Sequence, residues 1–193
     1  MPPLFTKTPI SRLLSAPALS CWAPMIQCRI FWAVRFWPIT PRAIKMQEAA
    51  LIEGVLAAIP YAGKLGVTAQ LDAAGRLTCT MPFNENHVGN KQLPALHGGS
   101  LASFLEITSI LQLARQQAAI QGIETAQAVR QIVPLPVNVT VQYLRSARAL
   151  PCYAEAKVLK IGRRTSTVFC QSWQDDETKP VTSMTGVFIQ PKS

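Results

Sequence analysis

One acidic residue interrupts an apolar segment of this sequence. Residues 100–121 contain neither proline nor glycine, and most of their side chains are apolar, which predicts a long helix that is buried on most sides. Glu106 lies within this segment, and a carboxylate on a buried helix must be paired, neutralised or functional. Because burial raises the pKa of a carboxyl group, Glu106 is suited to take a proton as a general base near neutral pH. It is the first candidate catalytic residue.

The segment His97-Gly98-Gly99 directly precedes this helix. The first N–H groups of a helix have no partner within it, and the helix dipole favours negative charge there. The N–H of Gly98 is therefore a candidate oxyanion hole that polarises a carbonyl group, and glycine lets a substrate approach the backbone closely. Ser100 stands where a capping side chain would help the first turn. The alternative is that the two glycines only form a tight turn.

Gly98 and Glu106 are too far apart along one helix to act on the same atom. Eight residues span about 12 Å at about 1.5 Å per residue. Two antiparallel copies of the helix, related by a two-fold axis, would bring Gly98 of one subunit close to Glu106 of the partner subunit. If both residues are catalytic, their spacing predicts an obligate homodimer.

Asn90, His97, Gly98, Gly99 and Glu106 together match a known motif: an Asn, then His-Gly-Gly, then an acid nine positions after the His. In this the sequence resembles the hotdog-fold thioesterases, in the branch of the phenylacetate-pathway-type acyl-CoA thioesterases. The similarity runs over roughly residues 48–191, through VNVTVQYLRSARALPCYAEAKVLKIGRRTSTVFCQSW and PVTSMTGVFIQ. It implies an α+β hotdog fold, in which an antiparallel sheet wraps around a long central helix. It also implies hydrolysis of acyl-CoA thioesters to free acid and CoA, with no metal and no organic cofactor.

The resemblance implies roles for these residues at the interface of a homodimer, which could pair further into a dimer of dimers. Glu106 would be the general base or the nucleophile, and Gly98 would supply the oxyanion hole. His97 would orient the carbonyl group or a neighbouring loop, and Asn90 would hold the water or the loop. The remaining candidates would bind substrate, the arginines because guanidinium groups suit the CoA phosphates. They are Gly99, Ser100, Arg145, Arg163 and Arg164, with Arg148 as a further arginine.

Some family members add a serine or threonine from the strand beside the site. The corresponding place in this chain is Pro134-Leu135-Pro136, which carries no hydroxyl group. Either this role is absent, or another polar residue fills it. The replacements to consider are Asn138, Thr108 and Ser109.

Hydrophobic periodicity arranges the rest of the chain as an α+β domain. A helix is predicted over Met46–Ile59, followed by strands over Leu65–Leu71 and Leu77–Pro82 and a loop over Phe83–Pro94. Four further strands follow the long helix. They are Ala128–Arg145, Cys152–Ile161, Thr165–Trp173 and Val181–Gln190. One apolar helix flanked by antiparallel strands indicates a sheet wrapped around that helix.

Residues 1–45 differ from the rest in charge and periodicity. They hold six basic and no acidic residues, and seven of the fifteen prolines of the chain. Prolines and arginines interrupt their apolar part, so it is not a clean membrane span. We predict that this segment lies outside the domain, either as upstream sequence read as protein before a true start at Met46, or as a targeting segment. The domain itself is predicted to span residues 46–193. The intact mass of the protein from its native host distinguishes these cases.

Composition excludes several other classes of function. The net charge of +9 comes mostly from residues 1–45, since the remainder has 13 basic against 10 acidic residues. The remainder also lacks a basic stripe with interleaved aromatic residues, so a nucleic-acid partner is not predicted. The five cysteines are scattered, which argues against a disulfide framework or a zinc site and fits a reducing, cytoplasmic location.

Two other functions remain open at this stage. One is a hotdog dehydratase or hydratase, in which an acid on the central helix works with a histidine, and His87 lies upstream. However, the His-Phe-Pro-Gly element typical of acyl-carrier-protein dehydratases is missing from the sequence. The other is a non-catalytic module that binds acyl-CoA, which would bind the thioester without cleaving it.

Overall fold

The computed structural model describes residues 41–90, 92–122, 129 and 132–191. Its helices are α1 (Pro41–Ala58), α2 (Pro60–Leu65) and α3 (Gly98–Gln121), with a short 3-10 helix at Glu85–His87. Its strands are β1 (Thr68–Leu71), β2 (Leu77–Met81), β3 (Val88–Asn90), β4 (Leu93–Leu96), β5 (Leu135–Tyr143), β6 (Cys152–Ile161), β7 (Thr165–Trp173) and β8 (Thr182–Ile189). Within the described residues no helix is both long and apolar enough to cross a membrane.

Six of the strands form one antiparallel sheet against which α3 packs. The strand order is β1-β2-β6-β7-β8-β5, so β1 and β5 are the two edges, while β3 and β4 pair separately as a hairpin. Cross-strand partners share a face of a sheet, and the row Cys79, Ala154, Ser172, Thr182 is fully buried, so this row marks the face covered by α3. This arrangement confirms the predicted α+β hotdog fold.

Helix α3 is buried along almost its whole length. Phe104, Leu105, Leu111 and Leu113 are fully buried in the core, as expected from the apolar sequence. Such side chains each contribute on the order of 2 kcal/mol of hydrophobic free energy when they leave water. Helix α1 is tied to α3 by one ion pair, in which the Arg115 guanidinium donates two hydrogen bonds of 3.1 Å to Glu48. The buried helix therefore fixes the positions of the exposed side chains on its N-terminal half.

The chain before α3 differs from the prediction in two places. Pro60 ends α1 as expected, but it also begins α2, which includes Leu65, and the strand predicted over Leu65–Leu71 begins only at Thr68. Gly66 then ends α2 with a φ of +67°, a conformation that glycine adopts readily. The first helix begins at Pro41, before its expected start, because proline is well tolerated in the first turn of a helix. The prediction that residues 1–45 are a leader falls mostly outside the described residues.

The predicted loop over Phe83–Pro94 contains regular structure. It forms the 3-10 helix and the β3–β4 hairpin, which lead the chain into α3. The strand predicted over Ala128–Arg145 is shorter, since β5 begins only at Leu135, and Pro134 and Pro136 cannot donate to a sheet ladder. Residues 128, 130 and 131 of that prediction lie outside the described part. The boundaries predicted for β6 and β7 are confirmed.

Candidate active site

His97 is the residue that caps α3. Its backbone is extended, with φ −67° and ψ 135°, and its Nδ1 accepts a hydrogen bond of 3.0 Å from the N–H of Gly99. The lone pair of Nδ1 thus serves as the capping acceptor for the first turn of the helix. The expectation that Ser100 would serve as the cap is wrong, because Ser100 lies inside the first turn of the helix and is buried.

The β3–β4 hairpin fixes the position of His97. The backbone N–H of His97 donates a 2.6 Å hydrogen bond to the carbonyl oxygen of His87. A Cβ atom on Gly89 would lie 2.6 Å from Cδ2 of His97, so the imidazole ring packs directly on a residue that has no side chain. His87 itself is buried, and neither of its ring nitrogens has a hydrogen-bond partner among the described residues.

Gly98 is held by a residue that the sequence analysis did not select. The hydroxyl group of Tyr143, the last residue of β5, donates a 3.0 Å hydrogen bond to the carbonyl oxygen of Gly98. A Cβ atom on Gly98 would lie 3.0 Å from the Tyr143 ring, which explains why glycine suits this position. The N–H of Gly98 has no acceptor among the described residues, whereas the N–H of Gly99 is bound by His97. The oxyanion donor predicted at Gly98 is thus geometrically available.

Glu106 lies two turns along α3 on a partly exposed stripe. Residues spaced by three, four or seven positions share a face of a helix, so Gly99, Ala102 and Ser103 lie on the same side. These residues are exposed or half-buried, whereas their neighbours Leu101, Phe104 and Leu105 are buried. Burial raises the pKa of the Glu106 carboxyl group above 4.5, and Glu106 forms no ion pair within the described part of the chain. A carboxylate of this kind is poised to accept a proton.

Asn90 lies at the end of β3, on the exposed rim of the hairpin. Its side-chain oxygen accepts a 2.9 Å hydrogen bond from the N–H of Gln92, which stabilises the turn that follows. This local bond gives Asn90 a structural task. Its role in holding a water molecule stays a prediction.

The arginines fall into two groups at opposite ends of the sheet. Arg145 and Arg148 follow β5, near the beginning of α3, and line a cavity of about 270 Å³ with Lys179, Asp175 and Asp176. Arg148 is paired with Asp175, and Lys179 with Asp176. The buried amide of Gln174, a residue that sequence reasoning missed, fixes this segment by hydrogen bonds to the backbone of Arg148 and Leu150.

Arg163 and Arg164 lie in the exposed turn between β6 and β7. The adjacent Thr165 pairs with Ile189, and Ile189 also pairs with Leu135 at the start of β5. The two arginines therefore lie at the start of β5, whereas Tyr143 lies at its other end. Eight residues of strand span about 26 Å at about 3.3 Å per residue. One subunit therefore does not bring these two arginines close to its own Gly98.

The buried hydroxyl groups of α3 donate their hydrogen bonds within the helix itself. Thr108 and Ser109 are fully buried, and they donate to the carbonyl oxygens of Phe104 and Leu105 one turn earlier. Asn138, by contrast, is exposed at an irregularity in β5. That any of these three residues replaces the missing strand hydroxyl group stays a prediction.

The described thiols are core residues. Burial raises the pKa of Cys79 to about 12 and that of Cys152 to about 11, and it raises the pKa of Cys170 well above 9.0. These thiols stay protonated at neutral pH and do not act as nucleophiles. Among the described residues no three His, Cys, Asp or Glu side chains are grouped so that they could hold a metal ion.

Solved structures share this fold. A Shewanella oneidensis protein related to the thioesterase superfamily is 19% identical with a TM-score of 0.63, and the match covers 75% of this chain and 97% of that one. A Bacillus halodurans protein solved with CoA is 17% identical with a TM-score of 0.55, covering 82% and 99%. A phenylacetic acid degradation-related protein from Ralstonia eutropha is 20% identical with a TM-score of 0.55, covering 74% and 98%. At these identities the likeness establishes the fold.

Sequence comparison identifies the family. No curated protein matches the sequence. The family model of the acyl-CoA thioesterase N-terminal domain matches residues 90–189, which is more than half of the 193 residues. The match begins at Asn90 and includes the His-Gly-Gly segment, Glu106 and β5 to β8. The chain therefore belongs to the acyl-CoA thioesterase family defined by that domain.

Proposed function

We propose that this protein hydrolyses acyl-CoA thioesters to the free acid and CoA, with Glu106 and Gly98 as its catalytic residues. The observation that carries the proposal is that the same helix presents both a hydrogen-bond donor and a proton acceptor. The N–H of Gly98, at the N-terminus of α3, has no acceptor in the described part of the chain, and Glu106 is a half-buried carboxylate whose pKa is raised by burial. Family membership and a structural neighbour solved with CoA support the same substrate class.

The chemistry requires one proton acceptor and one hydrogen-bond donor. Glu106 takes a proton from a water molecule while the oxygen of that water attacks the thioester carbonyl carbon. The negative charge that develops on the carbonyl oxygen is stabilised by the N–H of Gly98 and by the dipole of α3. When the tetrahedral intermediate collapses, the C–S bond breaks and CoA leaves as a thiolate that takes up a proton. The alternative, direct attack by the Glu106 carboxylate through an anhydride, uses the same two groups.

The edge strand β5 supports a homodimer. Val139, Val141 and Tyr143 pair with Gly186, Met184 and Thr182, so they lie on the sheet face that α3 covers elsewhere. Nevertheless Tyr143 is 56% exposed and Val139 is 38% exposed, because β5 is an edge strand of the sheet. Strand β5 has nine residues, and its outer edge carries backbone N–H and C=O groups without a neighbouring strand among the described residues. A second chain would pair with these groups and cover the apolar side chains.

A two-fold dimer through β5 would complete the site. Antiparallel pairing of the two β5 strands sets the two α3 helices side by side in opposite directions, which brings Glu106 of one subunit toward Gly98 of the partner subunit. The partly exposed stripe on α3 would then face the partner. The wild-type protein is expected to sediment with the mass of a dimer or of a dimer of dimers. A monomer at assay concentrations would contradict this part of the proposal.

The same two-fold arrangement gives the distant arginines a role. The start of one β5 strand would lie beside the end of the other, so the turn carrying Arg163 and Arg164 would be at the same end as Gly98 of the partner subunit. Guanidinium groups bind phosphate oxygens through paired hydrogen bonds. We assign Arg163 and Arg164 to the CoA phosphates of the partner's site, with Arg145 on the nearer side.

The experiment that tests this function is the release of free thiol from a panel of acyl-CoAs. The panel includes aromatic acyl groups and aliphatic ones from short to long chains, and the enzyme is the wild-type protein without added metal. We expect turnover of at least one class, which also identifies the acyl group. Binding of acyl-CoA without thiol release would contradict hydrolysis and favour the binding module, and hydration of enoyl-CoA instead would favour the hydratase.

A further inference from the structure

The peptide group that joins Gly98 to Gly99 is held at both of its polar ends. Its carbonyl oxygen, which belongs to Gly98, accepts the hydroxyl group of Tyr143 at 3.0 Å. Its N–H, which belongs to Gly99, donates to Nδ1 of His97 at 3.0 Å. Two side chains from different parts of the sequence therefore fix the plane of a single peptide.

This double restraint matters because both residues of the peptide are glycines. A peptide between two glycines has more accessible orientations than a peptide between residues with side chains. It also lies in the first turn of a helix, which tends to fray. The Gly98 N–H belongs to the preceding peptide, which shares the Cα atom of Gly98 with this one. A displacement of the Gly98–Gly99 peptide would therefore shift that N–H from its direction along the helix axis. An oxyanion hole, by contrast, works only when its donor is already aimed at the developing charge.

Contacts of the ring add to the hydrogen bond of the hydroxyl group. Atoms Cε1 and Cζ of Tyr143 would lie 3.0 Å from a Cβ atom at Gly98, so the ring lies directly against the backbone of the first residue of α3. Tyr143 also pairs with the fully buried Thr182 through the β5–β8 ladder, which anchors its own backbone. The residue thus connects the rigid sheet to the helix N-terminus.

We propose that Tyr143 is a positioning residue for the reaction, in that its hydroxyl group orients the Gly98–Gly99 peptide so that the Gly98 N–H points at the substrate carbonyl. This role rests on the proposed function, since it presumes that Gly98 supplies the oxyanion hole. Tyr143 acts through Gly98 and takes no part in proton transfer. His97 performs the matching task at the other end of the peptide.

The variant Tyr143→Phe isolates this role, because it removes one oxygen atom and keeps the ring. We expect kcat for acyl-CoA hydrolysis to fall about 3- to 10-fold, the equivalent of one ordinary hydrogen bond, with KM nearly unchanged. We also expect the amide hydrogen of Gly99 to exchange with solvent several-fold faster, measured by NMR. The matched control is Tyr153→Phe, the same change at a partly exposed tyrosine on β6 that lies against Trp173, which should alter neither quantity.

The two readouts separate this inference from the function on which it rests. Unchanged exchange at Gly99 in Tyr143→Phe would overturn the positioning role, whether or not the wild-type protein hydrolyses acyl-CoA. Faster exchange with an unchanged kcat would overturn it as well, since the orientation of the peptide would then not matter for the reaction. A rise in KM at constant kcat would mean that Tyr143 binds substrate directly. Faster exchange together with a lower kcat supports the proposal.

Discussion

Replacement of Glu106 by glutamine is expected to lower the rate of thiol release from acyl-CoA by about 10²- to 10⁴-fold, while substrate binding stays largely intact. Glutamine has nearly the same shape as glutamate, but it accepts no proton at neutral pH and is a poor nucleophile. Steady-state kinetics should therefore show the loss in kcat, with a separate binding measurement giving a similar dissociation constant for both proteins. A variant that turns over at the wild-type rate would remove Glu106 from the chemistry.

Glu155→Gln is the matched control for this substitution. Glu155 on β6 is another partly buried glutamate whose pKa burial raises above 4.5, but it faces Arg76 at 3.5 Å and lies away from α3. The same change of charge there should leave the turnover rate unaltered. A comparable loss in both variants would point to a general effect of charge or stability.

Stability provides a second control, because the pKa shift of Glu106 has a definite sign. Its folded-state pKa is raised above the unfolded value of 4.5, so the protonated form favours folding at low pH, and this contribution is lost as the pH rises through the folded-state pKa. At neutral pH the charged, partly buried carboxylate destabilises the fold, and glutamine removes that penalty. The variant is expected to unfold at the same temperature as the wild type or higher, as is common when a catalytic group is replaced.

Replacement of Gly98 by proline is expected to cost about 10²- to 10³-fold in kcat beyond the effect of alanine at the same position, because it removes one oxyanion donor. Proline lacks the N–H, and at the first helical position that loss breaks no helical hydrogen bond. The extended backbone of His97, with ψ 135°, is also the conformation that a residue before proline prefers. The fold should therefore accept the substitution.

Gly98→Ala supplies the reference for that comparison. Its Cβ atom would lie 3.0 Å from the Tyr143 ring, so the ring must move by a few tenths of an ångström, and the proline ring imposes the same displacement. Alanine keeps the N–H, which makes the difference between the two variants a measure of the donor itself. Equal rates for the two variants would show that Gly98 is needed only for space.

Much of the frame could be predicted from the sequence because it depends on local pattern. The apolar segment without glycine or proline specified α3, and the alternating strands with clear turn residues gave the boundaries of β6 and β7. The predictions failed where one residue serves two elements at once. Pro60 ends α1 and also begins α2. In the same way, β4 pairs with β3 and also contacts Ala147 and Arg148, which lie far along the sequence.

The candidate site was predicted only in part, for a related reason. Glu106 and Gly98 stand out through residue type and spacing along one helix. Tyr143 acts across 45 residues of sequence, and no local pattern connects it with Gly98. Its signal was the alternation of apolar and polar residues in β5, with a tyrosine at the end that faces the helix. His97 shows the opposite case, since histidine is an uncommon cap and Ser100 was the more usual choice.

The measurement that tests the central claim most directly is a mixed dimer of two inactive variants. One subunit carries Glu106→Gln and the other carries Gly98→Pro, with different affinity tags so that the heterodimer can be purified. If each site combines Gly98 of one subunit with Glu106 of the partner subunit, one of the two sites keeps both groups intact, and about half of the wild-type activity per dimer should return. If both groups act within a single subunit, neither site is intact. A heterodimer as inactive as its two parents would contradict the shared site.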